Sequence, residues 1–161
     1  MEMNVLITQG TCPFAQRVAK LVPAARIVFA ASDDISEVLL HTGKYVKIPR
    51  PSDPTFVHEV LRRCMDNAIE LVIPLGMAEL YPMAAARPLF AEYDIALCVP
   101  EMAALAELMI VENPPREMPL SILQEGAAIA GNTPGMQQGA LSGVFTPSDT
   151  DHDMALCCVT D

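Results

Sequence analysis

No apolar run in this 161-residue chain approaches the ~18 consecutive residues that cross a bilayer as a helix, so no membrane partner is expected. No basic-flanked apolar leader opens it, since Glu2 and Asn4 precede only a short apolar run. That argues against a secretory signal and for a cytoplasmic location. None of the five cysteines pairs at C-x-x-C spacing, and an odd count does not close a disulfide framework. Cationic charge is scarce as well. Ten Lys and Arg face twenty acids, for a net charge of −10, which disfavours nucleic acid and anionic surfaces. No Lys follows Lys47, no Arg follows Arg116, and residues 117–161 carry six acids without a base.

What is present is apolar and periodic. The hydrophobic share is 52%, too high for a disordered chain, and the length suits one domain or a domain with an appendage. Residues 53–100 organise the rest. Asp53 and Pro54 suit the start of a helix, and Phe56, Val57, Val60, Leu61, Cys64 and Met65 recur at helical spacing. Glu70–Leu75 is a short apolar run expected to be a strand buried on both faces. Gly76 allows a tight turn. Met77, Leu80, Tyr81, Ala84 and Ala85 form a second helical pattern before a strand over Asp94–Val99. Short strand–helix–strand links of this kind predict a parallel sheet.

Upstream, Met3–Gln9 reads as the first strand. Gly10, Thr11 and Cys12 form a turn, with Thr11 or Cys12 as the cap and Pro13 in the first helical turn. Arg26–Ala31 is the second strand, Ser32–Asp33–Asp34 caps a short helix through Leu40, and Tyr45–Ile48 is the third strand. Glu101–Val111 reads as one more helix. The fold expected is a doubly wound α/β domain, a mostly parallel five-stranded Rossmann-like sheet of order 3-2-1-4-5. Ligands belong where that order reverses, between the Gly10–Cys12 and Leu75–Glu79 loops.

Composition changes near Asn113. Five of the eight glycines lie beyond residue 116. A division into residues 1–112 and an acidic, Gly/Pro-rich β appendage over 113–161 follows. In the appendage Leu120–Leu123 suits a strand, Ala127–Ala130 fits either type, and Asn132–Gly139 reads as loop. Gly143–Thr146 and Met154–Thr160 suit a hairpin around Pro147–Asp153. The last strand needs an edge partner, supplied within the appendage or across a dimer.

From Met3 to Glu101 the chain resembles the pre-ATP-grasp domain that opens ATP-grasp ligases, most closely the carbamoyl-phosphate-synthase-like members. The resemblance is carried by Asn4-Val-Leu-Ile-Thr8 with Gly10, by Gly43-Lys-Tyr-Val-Lys-Ile-Pro49, and by Ser52-Asp-Pro-Thr-Phe56 leading to Ala68-Ile-Glu-Leu-Val-Ile-Pro74. Glu79 and Val99-Pro-Glu101 complete it. It implies a Rossmann-like wall of a ligase site in which later subdomains clamp ATP and magnesium. Those subdomains carry lysines, a glycine-rich lid and acidic metal ligands. Residues 117–161 offer no cation, and phosphoryl transfer needs cations or metal to offset its charge. The expectation is a stand-alone or split domain, non-catalytic alone, that binds a small ligand or partner chain at the C-terminal ends of its strands. No cofactor is expected for the chain alone; ATP and Mg²⁺ enter only if a partner chain completes the site. Self-association through the appendage is the other partner expected.

The candidate ligand residues are Gly10, Thr11, Cys12, Ser32, Asp33, Gly76 and Glu79. Each also has a plainer reading. Asp33 and Asp34 follow strand two, where a Rossmann acid meets ribose, but helix capping explains them and is preferred. Glu79 suits either a ligand or a helix first turn. Gly10-Thr-Cys-Pro is not G-x-G-x-x-G, and Pro13 removes a donor that a phosphate would use. Cys12-Pro-Phe-Ala15 resembles the Cys-Pro-Phe-Ala motif of omega-type glutathione transferases and the Cys-Pro-Tyr-Cys of glutaredoxins. A thiol enzyme using Cys12, with Arg17 assisting the thiolate, is therefore the alternative, and a structural oligomerisation module the third. A small turn residue explains Cys12 more simply. Asp149, Asp151, His152 and Asp153 read as a solvated turn rather than a metal site.

Overall fold

The computed structural model describes residues 3–23, 26–130, 141–147 and 154–160. Its first sheet is the expected one. Strands β1 (Asn4–Ile7), β2 (Arg26–Ala31), β3 (Tyr45–Lys47), β4 (Leu71–Ile73) and β5 (Ala96–Leu97) lie in the order β3-β2-β1-β4-β5. Every pairing in it is parallel. A thioredoxin-like domain needs an antiparallel pair, and this sheet has none among the described residues.

Alternation along β1 shows why helices cover both faces. Val5 and Ile7 pack with Phe14, Ala15 and Val18 of α1 (Pro13–Leu21), while Leu6 packs with Phe56, Val60 and Leu61 of α3 (Phe56–Asp66). Each such fully buried aliphatic side chain contributes about 1.5–3 kcal/mol. Met65 and Tyr81, expected on inner faces, are 56% and 48% exposed, because each falls at the solvent margin of its helical stripe.

Several boundaries differ from the sequence reading. α2 spans Glu37–His41 and is capped by the Ser36 hydroxyl, which accepts from Leu39 N–H at 3.3 Å. Ser32–Asp34 therefore do not cap it. Asp53 does not cap α3 either. Its carboxylate accepts from the amide and hydroxyl of Thr55, at 2.8 and 2.7 Å, in a turn before the helix. Those two bonds hold its pKa below the ordinary value. The pattern from Met77 splits into a 3₁₀ turn (Met77–Glu79), α4 (Leu80–Ala85) and α5 (Arg87–Ala91). The helix expected over Glu101–Val111 stops early: α6 covers Met102–Glu107, and β6 follows at Met109–Glu112. Pairing with a distant strand overrides helix propensity there.

That strand belongs to a second sheet. β6, β7 (Ser121–Gln124), β8 (Ala127–Ala130), β9 (Gly143–Pro147) and β10 (Met154–Cys158) are arranged β6-β10-β9-β7-β8. β10 runs parallel to β6 and antiparallel to β9, so both its edges are paired within the chain. The expected hairpin pairing is present, while residues 131–140 and 148–153, expected as loop and hairpin turn, fall outside the described residues. The mixed sheet shares both cores of the first. Ile122, Val144, Cys157 and Val159 join the α1 side, and Leu123, Phe145, Leu156 and Cys158 join the α3 side.

Candidate functional site

The two sheets meet at the C-terminal end of β4. Thr8, just past β1, accepts the Leu75 amide on its hydroxyl at 2.8 Å. Leu75 O in turn accepts the Val159 amide at 2.8 Å, and Val159 O accepts the Met77 amide at 2.9 Å. Gly76 thus pairs with Val159 as a parallel bridge. The segment after β10 lies along the loop where strand order reverses.

A crevice of about 570 Å³ opens beside this junction, within the size range of small-molecule sites. Gln9 comes from the end of β1, and Ser32 and Asp33 from the end of β2. Arg50 and Ser52 come from the loop after β3, and Ala78 from the turn after β4. Cys12 and Thr160 complete the wall. Arg50 is the one basic and Asp33 the one acidic residue among those lining it.

Several contacts fix the walls. Glu79 is 1% exposed, and its Oε2 accepts from Gln9 Nε2 at 2.7 Å. Glu79 therefore acts through Gln9 and does not itself line the crevice. Gly76 leaves the space for that bond: a Cβ on it would stand 2.5 Å from Glu79 Oε2 and 2.6 Å from Gln9 Nε2. Gly10 is needed for a different approach, since its Cβ would meet Phe29 Cβ at 2.5 Å while its amide donates to Ala30 O. Lys47 Nζ donates to Asp33 O at 2.8 Å and lies 3.7 Å from the Asp34 carboxylate. Asn113 holds Thr160 twice, through Nδ2 to Thr160 Oγ1 at 2.9 Å and from Thr160 N–H to Oδ1 at 3.2 Å.

Of the residues singled out from sequence, Cys12, Ser32 and Asp33 meet in this crevice. Gly10, Gly76 and Glu79 shape it from behind, and Thr11 lines a neighbouring cavity on α1. Gln9, Arg50, Ser52, Asn113 and Thr160 were not singled out. A signal existed for Arg50 and Ser52, which sit at the C-terminal end of a parallel strand, where such folds bind ligands. None existed for Thr160, whose place depends on pairing across the two sheets.

Cys12 sits at the N-cap of α1, without a side-chain cap bond, and borders three adjoining cavities. Arg17 is committed elsewhere: Nη1 donates to Pro115 O at 3.0 Å and Nη2 to Met118 O. It pins the connector between the sheets rather than a thiolate. The remaining cysteines are thiols in apolar surroundings. Burial pushes the thiols of Cys64, Cys98 and Cys157 up to about 12 and that of Cys158 to about 11, so none is a nucleophile at neutral pH.

Among the described residues no group of three or more His, Cys, Asp or Glu is placed to hold a metal ion; the Asp149–Asp153 turn lies outside them. No helix among them is long and apolar enough to cross a membrane. No family model matches the chain, and no curated protein matches it.

Proposed function

We propose that this chain is a pre-ATP-grasp-like binding domain that holds a small polar ligand at the C-terminal ends of β1, β2 and β3 and performs no phosphoryl transfer alone. The carrying observation is the crevice at the strand reversal, with one guanidinium, one carboxylate and several hydroxyls around one volume. A lining with one cation and one anion suits a small zwitterion of amino-acid type better than a triphosphate. The residue patterns that resemble those of pre-ATP-grasp domains support the family reading, and a Rossmann-like sheet is what that resemblance implies. A partner chain carrying cationic subdomains would supply ATP and Mg²⁺ chemistry beside the same crevice.

Thermal-shift titration tests this. A ligand at 100 times its Kd adds about 2.7 kcal/mol of stability. A shift is expected with an amino-acid-type ligand, lost in Arg50→Ala, and none with ATP–Mg²⁺. A clear ATP–Mg²⁺ shift overturns the non-catalytic reading. Silence across the amino acids and small carboxylates overturns the ligand assignment.

A further inference from the structure

The second cavity at Cys12 has a charge pattern unlike the rest of the molecule. It lies between the outer face of α1 and the connector at Pro114–Arg116, and measures about 690 Å³. Arg17, Lys20 and Arg116 line it with no acidic residue, in a chain whose net charge is −10. None of the three forms an ion pair among the described residues, where the pairs are Lys47–Asp34, Arg62–Glu59 and Arg87–Glu125. Three of the chain's ten bases are gathered at one concavity, and among the described residues no acid pairs with them.

The arrangement is built from two segments. On α1, Lys20 lies four residues after Gln16 and three after Arg17, so it neighbours both on the helix surface. Arg116 is brought to that face because Arg17 takes the carbonyls of Pro115 and Met118 on either side of it. Like charges held together repel one another, and an anion between them removes that repulsion. A phosphate ester carries nearly two negative charges and three acceptor oxygens, and guanidinium groups meet such oxygens in pairs. The cavity exceeds what a bare phosphate needs, and Phe14 and Pro114 supply an apolar wall for the remainder.

We propose that this cavity is a binding site for the phosphate group of a small phosphate monoester, distinct from the crevice, with Cys12 lining both. The crevice reading does not enter this argument, so either stands without the other.

The test is calorimetric titration of the full chain with inorganic phosphate and with phenyl phosphate at low ionic strength. Saturable binding with Kd of about 1 mM or tighter is expected, weakening as salt is added. Lys20→Glu and Arg116→Glu, both at exposed positions, should each weaken it about tenfold or more, and Arg50→Ala in the crevice should leave it unchanged. Tighter binding of phenyl phosphate places the ester against Phe14 and Pro114. Unfolding curves matching the unaltered chain would show that the reversals act on the site and not on folding. Absence of saturable binding overturns the proposal. So does affinity unchanged from the unaltered chain in both charge reversals, or loss of binding in Arg50→Ala.

Discussion

The parallel sheet and the mixed sheet bury their strands by different routes. In the first, each strand returns beside a neighbour through a helix, and β4 is buried at every position. In the second, β6 is nowhere fully buried and waits for β10, with Met109 meeting Ala155 and Glu112 meeting Cys158. The first sheet is written in contiguous apolar runs, whereas β6 of the second becomes a strand through its pairing with β10. Yet the two share both hydrophobic layers, so the apparent appendage is part of the same core.

Truncating Phe145 should test that sharing most severely. It is fully buried in β9 and belongs to the cluster that includes Leu6, Phe56 and Phe90. Phe145→Ala should cost about 3–5 kcal/mol. Urea unfolding followed by two probes, one in each sheet, should show both transitions lowered together. If only the mixed sheet melted early, the two would be separate folding units.

Alkaline titration sharpens the comparison, because each region hides thiols. Cys64 of α3, Cys98 after β5 and Cys157 of β10 are raised to about 12 from an ordinary value near 9. The folded state keeps its thiol protons where the unfolded chain loses them. Stability is therefore full below pH 9 and falls as pH rises from there toward 12. The slope should be about 1.4 kcal/mol per pH unit for each fully buried thiol. Melting temperatures between pH 7 and 10.5 check this, and Cys98→Ala should flatten the slope by one thiol's share. A profile level through pH 10 would show that these thiols ionise without unfolding.

A smaller effect is expected at the seam. Gly76→Ala forces a methyl between Gln9 and Glu79 and should cost about 1–3 kcal/mol. Amide exchange should rise at Met77 and Val159 and stay unchanged in β2 and β3. Uniform exchange across both sheets would mean that the junction is not a distinct weak point.

The contrast also explains what the amino-acid order disclosed. All five parallel strands and their sequence order were legible, because apolar runs of strand length alternate with helical stripes over short connections. The crevice's place was legible through the strand reversal, and Cys12, Ser32 and Asp33 with it. The caps were not. Ser36 and Ser32–Asp34 are equally good capping residues on paper, and only the backbone path selects Ser36. The end of α6 was hidden because Glu101–Val111 is apolar at helical spacing, while the demand that makes β6 a strand comes from β10. Arg17 looked like a thiolate's neighbour because the connector that occupies it lies about a hundred residues downstream.

The bridge between Gly76 and Val159 bears on the order of events during synthesis. Residues 4–97 are synthesised before residues 109–160, so the strands of the parallel sheet precede one wall of the crevice they bear. Asn113, and after it Thr160, follow all five strands of that sheet in the chain. The crevice wall is thus completed after the sheet that bears it, and a nascent or clipped form ending before Thr160 would carry the sheet without that wall.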